Sequence, residues 1–218
     1  MKAKRFSLIS ILLAFSFLLI SSVSAQELKT MKLPSPQKEG GMPLMQALNE
    51  RQTIRTFSQE KLPPQVLSNL LWAAWGINRT DISKRTAPSA SNMQEIEIYV
   101  SMQDGVYLYD AKEHSLISFM SGDIRAGTGT QDFVKDAPVN LVYVADYAKM
   151  GKRSEEDKRF YSGIDTGFIA QNVYLYCASE GLGTVVRGLV DRPALEKAMK
   201  LRPEQKVVLA QTVGYPSK

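Results

Sequence analysis

Two arginines and a threonine lie close together in the segment Arg51 to Phe57. Arg51 and Arg55 are four residues apart, with Thr53 between them. A phosphate monoester carries about −1.5 to −2 charges near neutral pH and accepts several hydrogen bonds. Arginine supplies forked, charged donors for such a group, and threonine adds a hydroxyl. At the end of a predicted helix the two arginines would share one face. This pattern indicates a phosphate site, but a solvated basic helix end has the same composition.

The segment Arg85 to Gln94 could bring a polypeptide backbone close to a flat ligand. It is a run of small and hydroxylated residues around Pro88. Such residues leave the backbone amides accessible, and Ser89, Ser91 and Asn92 add polar contacts. An ordinary loop that caps a following helix has the same composition, so this segment alone leaves both interpretations open.

A glycine-rich segment, Gly181 to Gly188, could also allow close approach of a cofactor. It does not follow the dinucleotide fingerprint G-x-G-x-x-G, because Val186 stands where the third glycine should be. Gly127 and Gly129 fail the same pattern at Asp132. A Rossmann site is therefore not predicted, and no P-loop lysine pattern occurs.

Cys177 is the only cysteine and His114 the only histidine of the chain. One cysteine cannot form an internal disulfide, and these counts exclude a zinc site built from cysteine and histidine. No metal is predicted. His114 is expected to be an exposed residue in a polar hairpin turn, and Cys177 a small core residue of a helix.

The N-terminus has the pattern of a secretory signal peptide, residues 1–25. A basic start is followed by the apolar run Leu8 to Ile20 and by small residues with Val23 and Ala25 in the cleavage spacing. The apolar run is short for a membrane span of roughly 20 residues, although an uncleaved anchor is the alternative. The mature protein is expected to be exported, to the periplasm of a bacterium, with no stable membrane insertion after cleavage.

Removal of the signal also changes the charge balance. The formal charge of +5 falls to +2, because Lys2, Lys4 and Arg5 leave and 24 basic residues then face 22 acidic ones. No basic stripe remains that would indicate nucleic-acid binding. The rest divides into an extended leader, residues 26–41, and a single domain, residues 42–218.

The periodicity of apolar residues predicts an α+β domain with a sheet between helices. The longest predicted helix carries an apolar stripe of Ile164, Phe168, Leu175 and Ala178. The predicted helices are 43–50, one that starts at 63–64, 162–180 and 193–200. The predicted strands are 96–102, 106–109, 116–120, 139–145, 184–190 and 206–213.

Taken together, these segments resemble the nitroreductase superfamily, and most closely its branch with the SagB-type dehydrogenases. The resemblance rests on motifs spread from about Leu44 to Pro216. Besides the arginine segment they are Leu70–Asn78, Arg85–Ala90, Ala170–Leu175, Gly181–Thr184 and Val213–Pro216. It implies a central, mostly antiparallel sheet flanked by helices, with FMN bound at a homodimer interface.

The resemblance also assigns roles to individual residues. Arg51 and Thr53 would hold the FMN phosphate, with Gln52 in the same cofactor-binding segment. Arg55 would lie near flavin N1 and the C2 carbonyl, where negative charge develops on reduction. The Arg187–Gly188 backbone would direct an N–H at flavin N5, so that Arg55 and Gly188 are the expected catalytic positions.

Further contacts with FMN are implied for two other segments. The residues expected to border the isoalloxazine and ribityl chain are Pro88, Ser89, Ala90 and Asn92. Leu182 and Gly183 would line the phosphate and ring side.

The implied function is electron transfer from a reduced donor, NADH or NADPH in relatives, through flavin to a small acceptor such as a nitro compound or quinone. An exported protein is not expected to meet much NADH or NADPH, so another donor or a redox protein is an alternative. Two other functions stay open: an FMN-dependent dehydrogenase or dehalogenase of one metabolite, and a flavin-binding protein without turnover.

Overall fold

The structure is a computed structural model that describes residues 29–217. The predicted signal peptide, its cleavage site and the first residues of the leader lie outside the described residues. The helices are α1 (Leu44–Glu50), α2 (Pro64–Trp75), α3 (Glu155–Ser179) and α4 (Arg192–Ala198). The strands are β1 (Met31–Lys32), β2 (Ile77–Arg79), β3 (Lys84–Arg85), β4 (Ile96–Met102), β5 (Gly105–Asp110), β6 (Ser115–Ser121), β7 (Val139–Asp146), β8 (Gly183–Arg187) and β9 (Gln205–Gly214).

Seven strands form one sheet in the order β1-β6-β5-β4-β7-β9-β8, and every neighbouring pair is antiparallel. Strand β7 lies inside the sheet, between β4 and β9, with all eight residues buried. Its near-continuous apolar sequence is typical of a strand covered on both faces. The predicted α+β architecture with a mostly antiparallel sheet is confirmed.

The described part of the leader, residues 29–41, joins the sheet. Met31 and Lys32 pair with Leu116 and Ser115, so that β1 becomes an edge strand beside β6. Leu33, the next residue, is buried in the main core. Part of the segment expected to precede the domain therefore belongs to it.

His114 lies in a turn, as predicted, but it is partly buried rather than exposed. Its Nε2 lies 2.7 Å from Ser68 Oγ and its Nδ1 lies 3.0 Å from Tyr109 Oη. Ser68 Oγ also donates to the carbonyl of Pro34 at 2.6 Å. Partial burial lowers the pKa of His114, which favours a neutral ring that ties the leader to α2 and the hairpin.

Helix α3 begins seven residues earlier than the predicted start at residue 162. Ser154 caps its N-terminus by accepting a hydrogen bond from the backbone of Asp157 at 3.0 Å. Acidic residues fill its first turn, where their negative charges interact favourably with the positive end of the helix dipole. The cap followed by acidic residues was the sequence signal for this start.

The apolar stripe predicted for α3 is also wrong. The side that packs into the core carries Ile169, Val173 and Cys177, which confirms the buried cysteine. Ile164 and Phe168 instead face outward with 39% and 45% of their surface exposed. Helical periodicity identifies an apolar stripe, but here the helix has apolar residues on two sides.

Helices α1 and α3 pack together and present apolar side chains to solvent. The exposed apolar side chains of these two helices, called the apolar patch below, are Leu44, Met45, Leu48, Phe160, Ile164 and Phe168. Large exposed apolar side chains in this number are typical of an interaction surface. No helix in the range 29–217 is long and apolar enough to cross a membrane.

Candidate functional site

The outer edge of β8 organises the first half of the candidate site. Strand β8 is the last strand of the sheet, so only β9 pairs with it. On its free side the carbonyl of Thr184 accepts from Ile54 N at 3.1 Å. Val186 N donates to Tyr174 Oη at 3.1 Å. Because strand groups alternate in direction, the N–H of Gly188 is the next to point to this side, and no backbone acceptor in the described residues takes it.

The segment 51–57 runs along this edge in an extended conformation. Helix α1 ends at Glu50, and Arg51 already has a ψ of 117°. The prediction that Arg51 and Arg55 share a helical face is therefore wrong. The backbone pairs instead with β8 through Ile54 and with the C-terminal segment, where Ser217 N donates to the carbonyl of Thr56 at 3.2 Å. These tertiary hydrogen bonds replace those that a continued helix would have made.

Tyr174 of α3 joins the segment 51–57 to β8. Its hydroxyl accepts from Val186 N, which leaves its own proton for Thr53 Oγ1 at 3.1 Å. The guanidinium carbon of Arg51 lies 5.4 Å from the centre of the tyrosine ring, within cation–π range. Tyr174 belongs to the motif Ala170–Leu175, which by itself indicates no role for this residue, because its position next to Thr53 depends on the tertiary fold.

The basic residues of this edge are available to an anion. No hydrogen bond or ion pair within residues 29–217 involves the guanidinium of Arg51 or of Arg55, and Arg55 is exposed. Gln52 and Thr53 are also exposed. Two guanidinium groups beside a threonine hydroxyl fit a phosphate-bearing ligand by charge and by donor number.

Gly183 and Leu182 support the edge by packing. A Cβ at Gly183 would lie 2.9 Å from Ile54 Cγ2, so glycine is what lets the segment 51–57 approach β8 this closely. The side chain of Leu182 is buried in the main core, and only its backbone remains for a ligand. Gln52, Tyr174 and Leu182 border a cleft of about 270 Å³.

The side chain of Arg187 is committed to the protein interior. Its guanidinium donates to the carbonyl of Thr128 at 2.6 Å and to Asn140 Oδ1 at 3.0 Å. Burial lowers the pKa of Arg187 to about 10, which still leaves it charged at neutral pH. Arg187 can therefore contribute to the proposed N5 contact through its backbone alone.

The loop Pro88 to Gln94 forms the second half of the candidate site. Three of its non-glycine residues, Ser91, Asn92 and Gln94, have φ values of 53°, 55° and 49°. Such left-handed residues persist only where the surroundings hold them. Ser89 Oγ accepts from Gln94 N at 3.1 Å, and Gln94 Nε2 donates to Asn92 Oδ1 at 3.2 Å. Pro88 and Asn92 are exposed, and Ser89 and Ala90 are partly buried.

The two halves lie on opposite sides of α3. The loop is attached at Asp165, whose Oδ2 accepts from Ala90 N at 2.8 Å, and the β8 edge is attached at Tyr174. Nine residues separate these positions, which is about two and a half helical turns and about 13 Å along the axis. In this protomer the predicted cofactor residues therefore form two groups, attached to α3 at different points. Within the described residues no group of three or more His, Cys, Asp or Glu side chains could hold a metal ion.

Comparisons with known proteins agree with this fold. The model of the nitroreductase family matches residues 48–215. A nitroreductase-named protein of Methanocaldococcus jannaschii is 30% identical over 184 residues, which cover 79% of this chain and 91% of the relative.

Two solved structures extend the comparison. One from Ralstonia eutropha JMP134, also named as a nitroreductase, has a TM-score of 0.84 and 41% identity, covering 88% of this chain and 91% of the other. One from Desulfovibrio desulfuricans, described in complex with FMN, has a TM-score of 0.59 and 22% identity, covering 82% and 89%. At that identity the second structure shows the shared fold alone.

Proposed function

This chain belongs to the nitroreductase family, and we propose that it is an exported FMN-dependent oxidoreductase that passes electrons to a small oxidised acceptor. NADH or NADPH, the donors implied by the family resemblance, are the first donors to test. Nitroaromatic compounds and quinones are the corresponding acceptors. Export is proposed from the signal pattern of residues 1–25, and it leaves room for a donor other than a nicotinamide.

The observation that carries the proposal is the set of groups on the free side of β8. Arg51 and Arg55 lie there without an anionic partner in the described residues, and the N–H of Gly188 points to the same side. A ligand that combines a phosphate with a ring acceptor, as FMN does, would use both kinds of donor.

The residues of this edge bind and orient the cofactor. FMN supplies the electron chemistry when it is bound, while the protein supplies position and charge. Arg51 and Thr53 hold the phosphate, and Tyr174 fixes the direction of the Thr53 hydroxyl. Arg55 provides a fixed positive charge for the negative charge that develops on the ring, which is electrostatic preorganisation. The N–H of Gly188 donates to the ring edge.

We also propose that the active form is a homodimer. The phosphate-side residues and the loop Pro88 to Gln94 are attached to opposite sides of α3, and a second copy would allow one flavin to contact the edge of one protomer and the loop of the other. The apolar patch on α1 and α3 offers a surface for that contact, because burying it would remove several large side chains from water.

The central experiment is purification of the mature protein, followed by its visible spectrum and anaerobic addition of NADH or NADPH. A yellow protein with one FMN per chain that is bleached by a donor and reoxidised by a nitro compound or quinone is expected. A colourless protein that stays colourless with added FMN contradicts the proposal. FMN without reduction of any acceptor identifies a flavin-binding protein, and a narrow acceptor range identifies a metabolite-specific enzyme.

The dimer is tested with two variants of similar exposure. Ile164 in the patch and Ile117 on β6 are 39% and 40% exposed, and Ile117 lies near the opposite edge of the sheet from β8. Ile164→Glu is expected to yield monomers and to weaken FMN binding, whereas Ile117→Glu stays dimeric. Light scattering with flavin quantitation measures both. Identical masses for the two variants and the parent would exclude the patch as the interface.

A further inference from the structure

A pair of buried carboxyl groups lies directly beneath the loop Pro88 to Gln94. Glu95 follows the loop at the start of β4, and its surface is 0% exposed. Asp165 lies on α3 and is 1% exposed. The Oδ2 of Asp165 holds the loop through the N–H of Ala90 at 2.8 Å. The pair is thus in contact with the backbone that the proposed function places beside the flavin ring.

The hydrogen bonds around Glu95 are incomplete unless one carboxyl is protonated. Neither Oε1 nor Oε2 of Glu95 receives a hydrogen bond from another residue in the range 29–217. Asp165 is also buried, and its carboxyl is close enough to act on Glu95, because it is one of the groups that raise the Glu95 pKa. Two ionised carboxylates cannot bond to each other, because each only accepts. One proton between them satisfies both groups and removes an uncompensated buried charge.

We propose that Glu95 and Asp165 share one proton, and that this protonated pair positions the cofactor-binding loop through the N–H of Ala90. The identity of the loop's ligand rests on the proposed function; the proton sharing does not. The loop needs such support because Ser91, Asn92 and Gln94 all have left-handed backbones. Ionisation of both carboxyls would push them apart and release the acceptor that holds Ala90.

The surroundings set the pH at which the pair ionises. Burial, together with the nearby charge of Asp165, raises the pKa of Glu95 to about 7. Lys149, in the turn after β7, acts in the opposite direction. Arg153, which precedes α3, donates to Ser91 Oγ at 3.1 Å on the outer side of the loop. Glu97, two residues along β4, is paired with Lys149 at 2.9 Å.

The pH dependence of stability follows from this shift. The folded state holds the Glu95 proton more tightly than the unfolded state, where the pKa is 4.5. The contribution of the pair to the free energy of unfolding is therefore full below about pH 4.5 and is lost as pH rises through about 7. In that window the unfolding equilibrium constant should rise by up to about tenfold per pH unit.

The first measurement needs no flavin. Urea unfolding of the protein as purified is followed from about pH 5 to about pH 8 for the parent, E95Q, D165N and the control E156Q, whose carboxylate is exposed on α3. E95Q donates an amide hydrogen to Asp165 at every pH, and D165N donates one to Glu95 while keeping an oxygen for Ala90. E95Q should lose the pH-dependent part that the parent and E156Q retain, and D165N should reduce it, because Glu95 stays buried but no longer faces a second carboxyl. Parallel profiles for all four proteins would overturn the shared proton.

The second measurement tests positioning. Above pH 7 the FMN affinity of the parent should fall by up to about tenfold per pH unit. The ratio between the FMN affinities of E95Q and D165N should stay constant over the same pH range. Ionisation of the FMN phosphate affects all variants alike, so it cancels in the comparison. D165A, which has no acceptor for Ala90, should bind FMN weakly at every pH. Unchanged FMN affinity in D165A would overturn the positioning role.

The two measurements separate this inference from the proposed function. If no variant binds FMN but the unfolding profile of E95Q is flat and that of D165N is shallower than that of the parent, the carboxyl pair stands and the cofactor assignment fails. If FMN binds normally and the profiles are parallel, the cofactor assignment stands and the pair fails. Should E95Q not fold, D165N alone decides, because it replaces the same shared proton from the other side.

Discussion

The β8 edge and the loop Pro88 to Gln94 are held in place by different kinds of interaction. At the β8 edge, neutral hydrogen bonds from Ile54, Val186 and Thr53 fix the backbone, and the charged groups stand free. At the loop, charge is buried beneath the backbone in Glu95 and Asp165. The loop also has residues in left-handed conformations, which the edge lacks.

This difference separates binding from positioning. Removal of a free cation at the edge takes away a ligand contact and leaves the backbone supported, because the sheet holds it. Removal of support at the loop changes backbone geometry, because three left-handed residues depend on that support. Substitutions at the edge should thus alter affinity and potential, and those at the loop should alter pH dependence and order.

Arg51→Ala should have the largest effect at the edge. It removes a charge-assisted contact worth about 1.5–3 kcal/mol, so FMN should bind about 10- to 150-fold more weakly. The free energy of unfolding of the apoprotein should barely change, since no hydrogen bond to this guanidinium occurs in the described residues. Fluorescence titration with FMN measures the affinity. An unchanged dissociation constant would remove Arg51 from the phosphate site.

Arg55→Gln should change the potential more than the affinity. A positive charge near N1 favours reduced, anionic flavin, so its removal should lower the midpoint potential of bound FMN. A contact worth about 1.5–3 kcal/mol corresponds to about 30–65 mV for a two-electron couple. Anaerobic titration against a reference dye gives the value, with Lys61→Gln as a charge-matched control. A raised potential would contradict the role of Arg55.

Tyr174→Phe tests whether neutral hydrogen bonds organise the edge. It leaves the N–H of Val186 without its partner and releases Thr53, so stability should fall by about 1–2 kcal/mol. Tyr176→Phe is the matched control, since its hydroxyl bonds to the carbonyl of Val66 at 3.2 Å away from the edge. Both variants should lose stability in urea unfolding, but only Tyr174→Phe should weaken FMN binding. Equal FMN affinities would place the tyrosine outside the site.

Arg153→Ala should have the smallest effect on FMN affinity, and it tests whether the loop differs from the β8 edge in this respect. Its guanidinium donates to Ser91 Oγ at 3.1 Å on the exposed side of the loop. An exposed hydrogen bond of this kind is worth about 0.5–1.5 kcal/mol at most. FMN affinity should therefore fall far less than in Arg51→Ala. A loss as large as that of Arg51→Ala would mean that the loop, too, binds through free charge.

Much of the fold was predictable because local patterns decide it. The apolar run of β7 predicted the bounds of that strand, and the prolines before α2 predicted the start of that helix, each within a residue or two. The start of α3 was missed, although Ser154 and three acidic residues signalled it. Its core-facing side was misassigned because the helix carries apolar residues on two sides, with Ile164 and Phe168 exposed and Ile169, Val173 and Cys177 buried.

The sequence by itself determined the residue types of the site, the single buried thiol of Cys177 and the family to which the chain belongs. Only the tertiary structure decided that Arg51 and Arg55 lie on an extended segment, because its hydrogen bonds come from β8 and the C-terminus. Only the tertiary structure brought Tyr174 to Thr53 and Glu95 to Asp165, since these partners are separated by 121 and by 70 residues. Periodicity and caps act within a few residues, whereas a sheet edge and a buried carboxyl pair form only when distant segments pack.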